Sequence, residues 1–298
     1  MHEVARHEVD AQRIALALEN VAGRAWRRWH RLAYADGPSP EPLMELCHEL
    51  LDHVAARSLQ EPVLGETASL ALRTAAECSL GALDTGCFPD GDQEVFLPLI
   101  GEKLSSEQVA FGAGEQAPTA ATWLDTFAIC LVSGLMWERQ RVIGLLLRED
   151  FAPAIRGGVP YSRLTSASAP ADLAAMDALC GYLTPASGHD RPAVPLCKPD
   201  TGERAEAARR LDAAGPLTAD QRLLRVLLDD DPRTFEEALR ARLIEHRDRQ
   251  GVDAAPRTLL PLGPLALAAL AVQAHGWTLT VQSSYLPHDL LRAPEDMH

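Results

Sequence analysis

Aromatic residues make up only 5% of the 298 residues, no two cysteines stand at CxxC spacing, and basic residues nearly vanish from one early stretch. Sheets lean on aromatic and β-branched side chains, so their scarcity beside abundant Leu and Ala favours helix. Without CxxC pairs, a zinc ribbon or a thioredoxin-like redox motif is excluded. Cys47, Cys78, Cys87, Cys130, Cys180 and Cys197, several in apolar helical surroundings, read as reduced, buried thiols rather than a disulfide framework. The opening MHEVARHEVDAQR is charged and lacks the apolar region of a signal peptide, which points to the cytoplasm. Between Asp36 and Glu115 only Arg57, Arg73 and Lys103 face fifteen acidic residues, so that segment holds most of the net charge of -14. Such a balance repels nucleic acid and attracts a basic partner; the simpler reading is a surface that keeps the protein dispersed.

What is present is a globular composition, 47% hydrophobic and 23% charged, enough for one large core. The most apolar long run is Trp123 to Leu147, WLDTFAICLVSGLMWERQRVIGLLL. A membrane span needs about 20 uninterrupted apolar residues, and Glu138, Arg139 and Arg141 break this one. It reads as a long buried helix with a charged stripe at the surface. Apolar periodicity predicts further helices over Val9–Leu32, Pro42–Leu59, Glu66–Leu83, Glu102–Phe111, Asp172–Leu183, Glu203–Ala213, Ala219–Leu228, Pro232–Arg249 and Pro264–His275. Thr119 or Thr122 is placed to cap the central helix, Thr218 and Asp231 to cap two later ones. Asp84–Asp92 reads as a loop, Glu94–Leu97 as an extended piece, the stretch after Leu147 as an irregular excursion, and Thr278–Val281 as a short strand. The expected fold is mainly α: a multi-helix globular array packed around a buried central helix. Residues 1–298 form a single domain in this reading, with lobes over 1–183 and 203–298 joined by the Pro-rich segment 184–202.

Chemistry-bearing patterns are few. His48 and His53 flank Glu49, but a zincin needs His at i and i+4 on one helical face; here they are five apart, so His48 reads as a surface residue and His53 as an interior one. There is no GxSxG elbow, and FGAGEQAPT and IRGGVPYS lack phosphate-loop spacing. Asp229-Asp230-Asp231 ends a helix, where turn chemistry accounts for it. No catalytic set, metal-ligand set or cofactor is expected. In the first helix Ile14, Leu18, Val21, Ala25, Trp29 and Leu32 form one apolar stripe that Trp26 widens, while Arg24, Arg27, Arg28 and Arg31 on the polar side are either a nucleic-acid contact or, more simply, a solvated face pairing with acidic neighbours. Asp84, Asp90, Asp92, Glu94, Glu102 and Glu107, interleaved with Phe88, Phe96 and Phe111, have the composition of an interface to a basic protein.

Several phrases resemble the immunity protein 49 family of bacterial polymorphic-toxin immunity proteins: LLDHVAAR, GDQEVFLPLIGEKLSSE, APTAATWLDTFAICLVSGLMWERQRVIGLLLREDFAPAIRGGVPYS, LDAAGPLTADQRLLRVLLDDD and LALAALAVQAHGWTLTVQSSYLP. The resemblance spans Arg13 to Leu290 and implies an all-helical protein that binds the cognate toxin domain and neutralises it by occlusion. It carries over no catalytic residue. An acidic segment suits a basic nuclease toxin, whose phosphate-binding cleft accepts carboxylates, and neither nucleic acid nor membrane is an expected partner. Two other classes compete: a helical scaffold or regulatory protein, and an enzyme whose site is assembled from dispersed residues.

Overall fold

A computed structural model describes residues 3–34, 41–61, 63–105, 117–138, 141–157, 167–186 and 194–294. Helices α1 (Ala11–Leu18), α2 (Val21–Ala33), α3 (Glu41–Arg57) and α4 (Glu66–Cys87) lead into an antiparallel hairpin, β1 (Glu94–Leu97) and β2 (Glu102–Ser105). Then come α5 (Ala120–Val132), α6 (Ile143–Leu145), α7 (Ala152–Gly157), α8 (Pro170–Cys180), α9 (Thr201–Ala213), α10 (Ala219–Leu228), α11 (Pro232–Arg249) and α12 (Leu262–Gln273). The chain is mainly α, as its composition predicts.

The apolar run does occupy the centre. α5 packs against α4, α8 and α12, and Trp123, Phe127, Ile129, Cys130 and Leu131 are all buried. Thr119 caps it with a reciprocal bond to Thr122. It is not, however, one helix to Leu147. α5 stops at Val132, a 3-10 turn spans Leu135–Trp137, and α6 gives way to a π-helical segment, Leu146–Phe151, and then α7. Gly134 ends the first piece in the left-handed region, φ +76°, where side chains other than glycine are strained. The charged break is then pulled sideways onto α4: Glu138 accepts from Arg73 at 3.1 Å, and Arg141 pairs with Glu77, leaving Val142 at φ +48°. Arg139 lies outside the described residues. The two halves fold back on each other, and Trp123 Nε1 donates to the carbonyl of Leu147 at 2.9 Å.

Other boundaries moved for local reasons. The expected first helix divides at Asn20, which takes φ +27° and caps α2 by accepting from the Gly23 N–H. α4 runs on through Cys87, so Asp84 is helical rather than in a loop. The stretch directly after Leu147 is likewise helical as far as Gly157. Residues 102–105, expected to open a helix, form β2; the rest of that expectation, to Phe111, lies outside the described residues. Thr278–Val281 is not a strand: among the described residues, the nearest pairing is a parallel bridge from Val4 to Ser283. The later caps hold, with Thr218 and Gln221 forming a capping box on α10 and Asp231 accepting from the Arg233 N–H ahead of α11.

The hairpin is held between two helices. Val95, Leu97 and Leu104 are buried, and β1 packs against α4 while β2 meets α2. A Cβ on Gly81 of α4 would stand 2.3 Å from Val95 Cγ2, so only glycine admits this close approach. On the α2 side, Trp29 Nε1 donates to the carbonyl of Lys103 at 2.8 Å.

Candidate partner-binding site

Strand register decides where the hairpin's charges point, because directly paired residues share a face. Val95 pairs with Leu104 and Leu97 with Glu102 on the inner face; Glu94 pairs with Ser105 and Phe96 with Lys103 on the outer one. The outer face therefore shows Glu94 and Phe96, the latter 42% exposed despite its size. Asp90 and Asp92 are exposed in the turn just ahead of β1 and make no hydrogen bond or ion pair with any described residue. Glu94 is bridged by Lys103 Nζ at 2.6 Å, with both groups well exposed.

The six acids proposed from sequence thus separate. Asp90, Asp92 and Glu94 stand together at the start and outer face of the hairpin. Glu102 belongs to the opposite face, and Glu107 lies outside the described residues. Asp84 sits in the last turn of α4; burial, opposed by the charge of Arg141 and reinforced by Asp150, pushes its carboxyl up to about 6. Phe88 packs against Phe151 with ring centroids 5.8 Å apart, and Phe111 lies outside the described residues.

An exposed aromatic group, of which Trp26 alone is expected inward from sequence, lies on α2, the helix that also holds this hairpin. Trp26, expected to widen the inward stripe of the first helix, is 47% exposed, and Tyr34 is 73% exposed. Trp26, His30 and Tyr34 form a ladder along α2, with centroids 5.3 and 4.7 Å apart. Their spacing of four residues was the available signal, obscured because Trp29, one turn-third away, does face the protein. The arginines divide between roles: Arg28 pairs with Glu45 and Glu49, Arg24 donates to helix-end carbonyls, while Arg27 and Arg31 are exposed and bond to no described residue.

The groups most like catalytic machinery are inward and already engaged. Tyr182 Oη lies 2.9 Å from His275 Nε2, and His275 Nδ1 lies 2.8 Å from Asp230, a hydroxyl–imidazole–carboxylate chain. Burial pushes the Tyr182 phenol up, and the same effect lowers His275. Asp230 is at φ +61° and also binds Lys198 and Arg204, which, with His275, outweigh its desolvation and lower its carboxyl. This set links the segments that follow α8 and α12 to α9, with Tyr182 buried and Asp230 partly exposed but already engaged by two cations and an imidazole. The cleft of about 380 Å³ beside it contains Arg148, Arg156, Arg204 and Arg210, each already bonded to a carbonyl or carboxylate. His53 is buried against the carbonyl of Ala17, and His48 is exposed. Among the described residues no three His, Cys, Asp or Glu side chains are disposed to hold a metal ion. All six cysteines are free thiols, five of them buried.

Fold and surface together define a helical array in which no described helix is long and apolar enough to cross a membrane, and which displays Asp90 and Asp92, without described partners, just ahead of a hairpin. The sequence model of immunity protein 49 matches residues 62–290, and the chain belongs to that family. The hairpin and α4 to α12 lie within the match; α1 to α3 precede it, so the resemblance expected from Arg13 onward is shown only from residue 62. No curated protein and no solved structure matches the chain.

Proposed function

We propose that this protein is a cytoplasmic immunity protein that binds a cognate toxin domain and neutralises it by occlusion, and that the toxin surface it covers is the basic substrate cleft of a nuclease. The observation that carries the reading is the hairpin: Asp90, Asp92 and Glu94 with Phe96, inside the family match, on a scaffold fixed by Gly81 and Trp29. Unpaired surface carboxylates raise the association rate with a basic partner, and an exposed aromatic supplies apolar anchoring once the partner arrives. Occlusion requires a preformed complementary surface and no reaction centre.

The test is co-expression with a toxin domain found encoded next to the gene for this chain. Growth is expected to be restored and the two proteins to co-purify. Cells that die at the same rate with and without this chain, and no complex between the purified proteins, would overturn the proposal.

A further inference from the structure

A second acidic site lies on the far side of α5 from α4, where α5, α8, α10 and α12 leave a cleft of about 200 Å³. Its walls are apolar: Leu124, Phe127, Ala128, Leu179, Leu224 and Leu267. Three carboxylates line it, from three helices: Asp125, Asp172 and Asp220. Two of them are compensated. Asp220 accepts from Arg242 Nε of α11 at 2.6 Å, and its carboxylate rests so close to Gly263 that a Cβ there would lie 2.4 Å from it. Asp172 accepts from the buried Gln221 side chain at 2.6 Å. Asp125 has no hydrogen bond or ion pair with any described residue, and it is the most exposed of the three. Desolvation by the cleft walls, then the like charges of Asp220 and Asp172, push its carboxyl up to about 6.

We propose that this cleft receives one arginine or lysine side chain of a protein partner, with the aliphatic stem against the apolar walls and the cationic head on Asp125. Size limits the occupant: about 200 Å³ is below the roughly 300–1,000 Å³ of small-molecule sites and suits a single long side chain. Charge limits it further. An apolar plug would strip water from three carboxylates and return no hydrogen bond, whereas a guanidinium or ammonium supplies a charge-assisted one. Only Lys and Arg combine a long apolar stem with such a head. The identity of the partner rests on the toxin reading above; the chemistry of the cleft does not.

The site can therefore be probed without the toxin. Agmatine, which is decarboxylated arginine, carries the arginine guanidinium on a four-carbon stem that ends in a primary ammonium, and n-pentanol carries a similar stem without charge. Each is titrated into the intact protein at neutral pH and constant ionic strength, with the Asp125 carboxyl carbon in the parent, and the backbone amides of the cleft residues in parent and variant, followed by NMR. Agmatine is expected to give a saturable shift and to lower the Asp125 pKa, with binding weakened about tenfold or more in Asp125→Asn. That variant should fold at least as well as the parent, because it removes an uncompensated charge. No saturable shift, or the same shift with n-pentanol or in Asp125→Asn, would overturn the proposal. Agmatine binding without any toxin complex keeps the cleft and rejects the toxin reading; toxin neutralisation without agmatine binding does the reverse.

Discussion

Asp90 and Asp92 stand in open water ahead of β1, whereas Asp125 lies in a cleft with apolar walls and two further carboxylates around it. All three lack a partner among the described residues and all three are exposed, but only Asp125 has apolar walls and two like charges beside it. The hairpin acids cost the fold almost nothing and act at a distance, through the field they add to a protein of net charge -14. The cleft acid carries a desolvation penalty that a bound cation would relieve.

The largest expected effect comes from breaking the hairpin's seat. Gly81→Val forces a side chain into Val95 and should cost about 1–3 kcal/mol in denaturant unfolding, with toxin binding lost as well. Retention of both would show that the hairpin's close seating on α4 is not what holds it. Charge reversal of Asp90, Asp92 and Glu94 to Lys comes next. The association rate with the toxin domain should fall at least about tenfold and lose its salt dependence, while the melting temperature stays within the small range expected of surface changes. An unchanged rate across salt would remove the hairpin from the interface.

Asp125→Asn sharpens the other side of the comparison, and its sign follows from linkage. The folded-state pKa of Asp125 is raised from 3.8 to about 6, so ionisation destabilises the fold. That penalty is absent below 3.8, where both states are protonated, and complete above about 6. Asp125→Asn should therefore melt higher than the parent at neutral pH, with the gain fading as pH falls through that window. Equal melting at neutral pH would mean that water solvates Asp125 after all. Smallest is Lys103→Ala, which removes an exposed pair with Glu94 and should change stability by under about 0.5 kcal/mol. A larger loss would make that pair part of the hairpin's fastening.

These two regions also mark what could be read from sequence. Helix content followed from Leu, Ala and apolar spacing, and the capping residues of α5, α10 and α11 were visible because caps are local. The hairpin acids were visible because they are neighbours in the chain. The cleft was not: Asp125, Asp172 and Asp220 belong to three helices, and only packing brings them together. The central run misled for a related reason. Its apolar pattern is continuous, yet the pull of Arg73 and Glu77 on its charged residues, with the left-handed turn at Gly134, is tertiary. Trp26 was assigned inward because periodicity cannot say where a buried stripe ends; here it ends between Ala25 and Trp26.

Occlusion as a mechanism is tested most directly by titrating this protein into a fixed amount of the purified toxin domain and following the toxin's activity. The account predicts a linear loss of activity that ends at one molecule of this protein per toxin. Protection at far below stoichiometric amounts, as an enzyme would give, or full toxin activity in the saturated complex, would contradict it.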